Sequence, residues 1–282
     1  MKTKELARQA VRAAARLRAE CGFGPTESVC PFDIAEQLGI ATRLVALPSM
    51  EGMYSPTPWA TILVSSERPR GRRRYTCAHE IGHHVFKHGA RLDELAGTGE
   101  VRQDPEELIA QRFAAALLMP KFAIEAAFAK RGWSISEPTA KQCFLVAQEL
   151  GVGYVTLIRN LHHTLQLMPS SVAESLMKAA LPALRAKIAG FEVDHDVLVV
   201  DGTWAGRSVD VEVGDVVLLA ESATISGSCV ESLDSPALHL IAVRPGVAVA
   251  TLEGGRSIAV RVSRRGFSGL ARYRYLEEVT DE

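Results

Sequence analysis

The chain has 282 residues, of which 47% are hydrophobic and 23% charged, and its formal net charge is −1. This length is enough for two domains with separate cores. Because the net charge is close to zero, any affinity for nucleic acid has to come from local basic patches. Five cysteines are scattered without a C-x-x-C pair, which is typical of a reducing compartment.

The sequence shows neither a signal peptide nor a membrane span. The first residues lack the apolar segment that a signal peptide needs, and no apolar run approaches the roughly 18 residues of a membrane-spanning helix. We therefore expect a cytoplasmic protein with no membrane partner.

In chain order, the first predicted elements are two helices followed by two strands. Residues 2–20 form an amphipathic helix rich in Ala and Arg, and a short helix follows Pro31. Strand-like runs cover 42–47 and 61–65, with a Pro-rich turn at 55–58 between them. An edge strand at 61–65 would suit peptide binding by strand addition.

The next helix carries the pattern H-E-x-x-H. Residues 72–88 contain no proline and have apolar residues at helical spacing, so they predict a helix that ends at Gly89. Positions four apart share one helix face, so His79 and His83 can bind one Zn²⁺. Glu80 lies about 100° round the helix, where a general base could act without binding the metal. The alternative for each histidine is a hydrogen-bonded or exposed helix residue.

A catalytic zinc also needs a third protein ligand and an open coordination position. A second helix is predicted from Pro105, with Asp104 as its N-cap, and Pro120 ends it. The small side chains of Ala110 and Ala114 would let this helix approach the helix of the H-E-x-x-H pattern closely. Glu107, one turn before Ala110, would then point at the metal. The alternative is that Glu107 caps its own helix, because Asp104 and Glu107 have capping-box spacing.

These motifs resemble the ImmA/IrrE family of bacterial metallo-endopeptidases. The resemblance rests on R-x-Y-T-x-A-H-E-I-G-H followed by E-x-x-A-x-x-F-A-x-x-L-L-M-P, and on a match of residues 31–40 to the family's N-terminal helix and turn. It covers roughly residues 25–165. Two positions depart from the family pattern, since Tyr75 stands where Phe is usual and Gln111 stands where Asn is usual.

The resemblance implies a zincin-like metallopeptidase. It implies zinc bound by His79, His83 and Glu107, with Glu80 as the catalytic base. The substrate would be a protein, because members of the family often cleave or inactivate a small helix-turn-helix repressor after stress or DNA damage. The main alternative is a non-proteolytic transcriptional regulator that keeps the zinc site and binds DNA or a repressor. An intact Glu80 favours the enzyme, because a regulator that only binds needs no general base.

No single residue is identified as the donor that stabilises the oxyanion. The candidates are Tyr54, Tyr75 and His84, and the sequence does not rank them.

Residues 134–166 predict a helix-turn-helix-like section. Ser136 is expected to cap a helix that runs to Leu150, and a Gly-rich turn at 151–153 leads into a helix over 154–167. The second helix has few basic residues, so reading of DNA does not follow from this spacing.

The predicted domain boundary follows Met168. Residues 1–168 form the metallopeptidase domain, and residues 169–282 form a sensor or regulatory domain. The latter begins with a helix over 171–189, interrupted or bent near Pro182, and continues with six or seven strands. The predicted strands are 197–200, 209–213, 216–219, 238–243, 247–252, 258–262 and 273–276, with a hairpin at Gly254 and Gly255. The overall fold class is α+β: a mainly helical domain with a small sheet, followed by a β-rich domain.

Two basic clusters are candidates for binding single-stranded DNA or another nucleic acid as an activator. They consist of Arg68, Arg70, Arg72, Arg73 and Arg74, and of Arg261, Arg264, Arg265, Arg272 and Arg274. A strand at 273–276 would place arginines on one face and tyrosines on the other, as single-strand binding surfaces do. The alternative is a solvated loop and a solubilising strand face.

Cys30 is a candidate for restraint of the enzyme. It precedes Pro31 and is predicted to be the N-cap of a helix, which favours the thiolate. The hypothesis is that this thiolate occupies the open position of the zinc in the resting enzyme, and the alternative is a small, partly buried residue.

Overall fold

The structure, a computed structural model, describes residues 2–94, 104–204, 207–220, 222–233 and 238–277. The chain forms two compact units, Met1–Met177 with Ser268–Arg272 and Lys178–Phe267 with Tyr273–Glu282. The sequence placed the boundary after Met168, whereas the first unit continues through the next helix. None of the helices in the described ranges is long and apolar enough to cross a membrane.

Helices make up most of the first unit. They are α1 (Lys2–Glu20), α2 (Pro31–Gln37), α3 (Arg70–Val85), α4 (Pro105–Leu118), α5 (Lys121–Ala129), α6 (Ala140–Leu150), α7 (Tyr154–Arg159) and α8 (Ser170–Met177). Helix α4 packs against both α1 and α3. Its inner face contributes fully buried Phe113, Leu117 and Leu118 to the core.

The start of α6 and the end of α7 differ from the sequence predictions. Thr139, not Ser136, caps α6, because it forms a reciprocal capping box with Gln142. A π-helix, Asn160–Thr164, follows α7 where a continuous helix was predicted. The helix predicted over 171–189 is interrupted near Pro182, as one of the two alternatives expected, and Pro182 lies in the first turn of the second part.

The first unit also contains four consecutive strands. They are β1 (Ala41–Val45), β2 (Met50–Ser55), β3 (Thr61–Ser65) and β4 (Arg91–Glu94). The sequence analysis predicted β1 and β3 but missed β2 and β4. Strand β2 contains Gly52 and lacks the alternation of buried and exposed residues by which strands are recognised. Its adjacent residues Met50, Glu51 and Gly52 are all buried.

The second unit is rich in strands. It contains α9 (Leu181–Ala189), β5 (Val197–Val200), β6 (Ser208–Glu212), β7 (Val216–Leu219), β8 (Ala223–Ser226), β9 (Val230–Leu233), β10 (Leu238–Ala242), β11 (Gly246–Leu252) and β12 (Ser257–Ser263). Two four-stranded sheets, β5-β7-β10-β9 and β6-β12-β11-β8, share one hydrophobic core. The predicted hairpin at Gly254 and Gly255 joins β11 to β12 as an antiparallel pair. Together the two units confirm the α+β class.

The chain then returns to the first unit as β13 (Gly269–Leu270), which pairs with β1. The sheet order is β13-β1-β3-β2-β4. Strand β3 therefore has a partner on both sides, so the prediction of an edge strand at 61–65 is wrong. Among the described residues the edges are β13 and β4, and strand addition would have to use one of them.

Candidate metal centre

Helix α3 brings His79 and His83 together, as their spacing predicts. Their Nε2 atoms lie 3.0 Å apart, and the rings meet edge to face. Both side chains are buried, with 5% and 0% of their surface exposed. Two imidazole nitrogens that converge in a buried position can supply two of the four ligands of a zinc ion.

Helix α4 supplies the third group. The Glu107 carboxylate oxygens lie 3.2 Å from His79 Nε2 and 3.4 Å from His83 Nε2. Hydrogen bonds from the two histidines hold the pKa of Glu107 well below its usual value, so it is a carboxylate. The N-cap role belongs to Asp104, whose side chain accepts from Glu106 N at 2.9 Å. The Glu107 carboxylate itself lies beside the two histidines.

A close helix crossing allows these groups to meet. A Cβ on Gly82 would lie 3.1 Å from Ala110 Cα and 3.2 Å from Phe113 Cδ1. Ala110 and Ala114 are fully buried, as expected of small residues at a tight contact. The missing side chain at Gly82 and the short ones on α4 bring Glu107 within reach of the α3 histidines.

The triangle of ligand atoms fits a tetrahedral zinc ion. Zinc binds imidazole nitrogen at about 2.0–2.1 Å, so two ligands of a tetrahedral ion lie about 3.3 Å apart. The two Nε2 atoms lie 3.0 Å apart, and the distances of 3.2 Å from His79 Nε2 to Glu107 Oε2 and 3.4 Å from His83 Nε2 to Glu107 Oε1 are also close to this value. Within the described ranges, His79, His83 and Glu107 are the one set of three or more such side chains whose ligand atoms all lie within 4.8 Å of one another. Two nitrogens and one carboxylate oxygen form a catalytic type of ligand set, which leaves a fourth position for water.

Glu80, the next residue on α3, is completely buried. It faces β2: a Cβ on Gly52 would lie 2.7 Å from Glu80 Oε1 and 2.4 Å from Thr76 Cγ2. The carboxylate therefore occupies space that only a glycine on β2 leaves open.

The comparisons with known proteins identify this region. Residues 35–162 match the model of a peptidase family described as the IrrE N-terminal-like domain. We refer to residues 35–162 as the IrrE-like domain because of this similarity. This match confirms the resemblance noted in the sequence, and the matched stretch contains His79, Glu80, His83 and Glu107.

Other comparisons add little to this. No curated protein matches the chain. Among solved structures, a Mycobacterium tuberculosis transcriptional regulator is 16% identical, with a TM-score of 0.36. The likeness covers 57% of this chain and 52% of that one, so the chain spans about half the length of the regulator. It is too distant to bear on fold or function.

The three oxyanion candidates of the IrrE-like domain have distinct surroundings. Tyr54 on β2 and His84 form a pair, with Tyr54 Oη 3.0 Å from His84 Nδ1. Burial raises the pKa of Tyr54 and lowers the pKa of His84, so both side chains are neutral near pH 7. The Tyr75 hydroxyl donates to the Gln111 carbonyl at 3.1 Å, and burial raises the pKa of Tyr75 to about 12. The two positions that depart from the family pattern are thus joined by a bond that Phe could not make.

His88 is the residue that sequence reasoning missed. Its Nδ1 lies 2.9 Å from Nδ1 of His83, on the side of that ring away from the ligand atoms. The sequence analysis placed His88 inside a helix ending at Gly89, but α3 ends at Val85. A histidine five positions after the second motif histidine is a signal that could have drawn attention to it.

The structure pairs or buries much of the first basic cluster. Arg68 Nε and Arg72 Nε lie 3.1 and 2.8 Å from the Glu51 carboxylate. Arg73 and Arg74 are buried, and Arg74 donates to the Val29 carbonyl at 2.7 Å. These contacts are structural ones within the IrrE-like domain.

The second basic cluster is divided between the two units, since Arg272 belongs to the first unit and its other members belong to the second. No strand forms at 273–276: Ala271–Tyr273 is a 3₁₀ turn, and Arg274 is buried with its guanidinium 4.3 Å from the Tyr275 ring centroid. The prediction of a strand face that carries Arg272 and Arg274 is therefore wrong. Nucleic-acid binding stays a prediction, and the exposed members of this cluster are Arg264, Arg265 and Arg272.

Cys30 is the N-cap residue of α2, as predicted, and it is buried. It is not a member of the group formed by His79, His83 and Glu107. A thiolate in the open position of a zinc ion would lie within 4.8 Å of all three ligand atoms, so the prediction of a Cys30 block is wrong for this structure. The residue before Cys30 is held instead by Arg74, which donates to the Val29 carbonyl at 2.7 Å.

Proposed function

We propose that this protein is a zinc-dependent endopeptidase. The observation that carries the proposal is the convergence of three ligating side chains: His79 Nε2 and His83 Nε2 lie 3.0 Å apart, and each lies 3.2–3.4 Å from one of the two Glu107 carboxylate oxygens. It occurs beside the buried Glu80 in a domain of a peptidase family.

Each side chain has a role in this proposal. His79, His83 and Glu107 hold the zinc, which when bound supplies Lewis-acid activation of water and of the scissile carbonyl. Glu80 is the general base: its carboxylate accepts the proton of the attacking water and passes it to the leaving amine. Burial of the histidines and of Glu80 excludes bulk water, which strengthens the electrostatic interactions among them.

The proposed substrate is a protein, a small helix-turn-helix repressor that is cut at one or a few sites in a response to stress or DNA damage. The family resemblance of the motifs supports this substrate class. The second unit, with its β-rich core, would then sense the signal or regulate the cleavage.

Metal content and turnover together test the proposal. The purified protein should contain about one zinc per chain by elemental analysis. His79→Ala and His83→Ala should lose it, and Glu107→Gln should bind it more weakly. Glu80→Gln is the matched control, because it should keep the zinc and lose cleavage. Full zinc occupancy and activity in Glu107→Ala would contradict the ligand set.

A cleavage assay separates the enzyme from its main alternative. The protein should be incubated with the repressor encoded beside its gene, with and without single-stranded DNA, and the products analysed by mass spectrometry. Discrete fragments that are absent with Glu80→Gln would support the endopeptidase. An intact repressor under every condition, together with tight repressor or DNA binding, would favour a non-proteolytic regulator that retains the zinc site.

A further inference from the structure

The chain reverses direction immediately after α3. Lys87 adopts a left-handed conformation with φ 56°, and the His88 N–H donates to the His83 carbonyl at 3.0 Å. The Lys87 N–H donates to the His84 carbonyl at 3.1 Å. This six-to-one and five-to-two pattern is a Schellman-type helix end, in which glycine usually occupies the left-handed position.

The reversal places the His88 ring against a proposed zinc ligand. Nδ1 of His88 lies 2.9 Å from Nδ1 of His83, and the ring centroids are 5.0 Å apart. On its other side the His88 ring stacks on Phe86, with 6.0 Å between centroids and 23° between planes. The backbone bond and the stacking contact both fix the position of the His88 ring.

The hydrogen bond between the two rings dictates their tautomers. A bond between two Nδ1 atoms needs one N–H and one lone pair. His83 Nε2 faces His79 and Glu107, so a metal ligand at that atom requires the proton of His83 on Nδ1. With zinc bound at Nε2, His83 is therefore the donor, and His88 accepts at Nδ1 and carries its own proton on Nε2.

We propose that His88 is a positioning residue for the zinc centre, which fixes the tautomer and ring orientation of His83. The proposal rests on the zinc site proposed above. A metal-binding histidine usually donates its second N–H to a carboxylate, a backbone carbonyl or water. Here an imidazole takes that place, and a backbone conformation that lysine rarely adopts holds it there. Unusual backbone geometry of this kind is often retained where it serves a functional site.

Two substitutions at His88 separate hydrogen bonding from packing. His88→Phe keeps a ring that can stack on Phe86 but removes the acceptor. His88→Asn places its side-chain oxygen close to the position of Nδ1, so the hydrogen bond from His83 can form again. Zinc affinity, measured by competition with a chromophoric chelator, should fall about 10–100-fold in His88→Phe. It should return close to the wild-type value in His88→Asn.

A further variant and a spectroscopic measurement on the wild type complete the test. Lys87→Gly should leave zinc affinity unchanged, because glycine adopts the left-handed turn and leaves the His88 ring in place. In the zinc-loaded wild-type protein, ¹⁵N NMR should show His83 protonated at Nδ1 and His88 protonated at Nε2. This readout does not depend on the folding of any variant.

Each outcome decides the proposal. Wild-type affinity in His88→Phe, an affinity of His88→Asn no better than that of His88→Phe, or a His83 ring unprotonated at Nδ1 would each overturn the role of His88 while the zinc site stands. Absence of zinc binding by the wild-type protein would overturn the zinc site itself, and the role of His88 with it.

Discussion

Gly52 determines the space available to the proposed general base. Strand β2 lies against α3 at this position, and a Cβ there would come 2.7 Å from Glu80 Oε1 and 2.4 Å from Thr76 Cγ2. Real Cβ atoms do not approach other atoms so closely. Since Glu80 is completely buried, its carboxylate can move only by displacing its neighbours.

Gly52→Ala is therefore expected to lower kcat/KM about 100-fold with zinc content unchanged, because a displacement of about 1 Å in a catalytic group can cost this much. Peptide cleavage and elemental analysis measure the two quantities. Gly89→Ala is the matched control, because nothing lies within 4 Å of a Cβ at that glycine.

The double variant Gly52→Ala, Thr76→Ser separates the two contacts at Gly52. Serine lacks the Cγ2 atom, so the double variant should recover thermal stability. Cleavage should stay low, since the contact with Glu80 remains. Wild-type cleavage in the single variant would contradict the placement of Glu80.

At the scale of elements, the crossing of α3 and α4 decides whether three ligands meet. Helix α3 supplies both histidines, and Glu107 comes from the first turn of α4. Gly82 faces Ala110 and Phe113 at this crossing. The affinity for zinc is therefore coupled to the separation of the helices.

Gly82→Val should push the helices apart. Two further carbon atoms beyond Cβ have no room beside Ala110 Cα, and overpacking of this kind costs about 1–3 kcal/mol of unfolding free energy. Urea unfolding measures this cost. Zinc affinity should fall as well, because Glu107 moves with α4.

Ala15→Val, on the exposed face of α1, controls for the low helix propensity of valine. Gly82→Val with the zinc affinity of the wild type would show that the crossing does not position Glu107.

At the scale of the whole molecule, the first unit is discontinuous in sequence. The chain leaves it after Met177 and returns as Ser268–Arg272. The returning strand β13 pairs with β1 through Arg43↔Leu270 and Leu44↔Gly269, and Ser268 Oγ donates to the Leu44 carbonyl at 3.2 Å. The sheet of the IrrE-like domain thus includes residues that lie about 100 positions beyond the matched family region.

A chain truncated after Met177 should therefore associate. Loss of β13 turns β1 into an open edge, and unpaired edges template pairing with other chains. Size-exclusion chromatography with light scattering should show higher-order species that increase with concentration. A chain that ends at Glu277 keeps β13 and should match the full-length protein. A strictly monomeric truncated chain would show that β13 does not protect this edge.

Much of the candidate site could be predicted from the sequence, because its signals are local. The spacing of His79 and His83 fixes a shared helix face whatever the rest of the chain does. Likewise Asp104 and Pro105 mark the start of α4, and β-branched alternation marks most strands of the second unit. The family resemblance favoured Glu107 as a ligand over its alternative role as a helix cap, and it supported the peptidase assignment.

Only the tertiary structure decided the contacts between segments distant in sequence. Strand β3 has an internal position because β2, which lacks alternating burial, pairs with it. Arg274 is buried because a 3₁₀ turn replaces the predicted strand. His88 reaches His83 because Lys87 adopts a backbone conformation that its side chain disfavours, and no local pattern indicates that. Local periodicity specifies faces of helices and strands, whereas pairing, burial and chain reversal depend on how those faces pack.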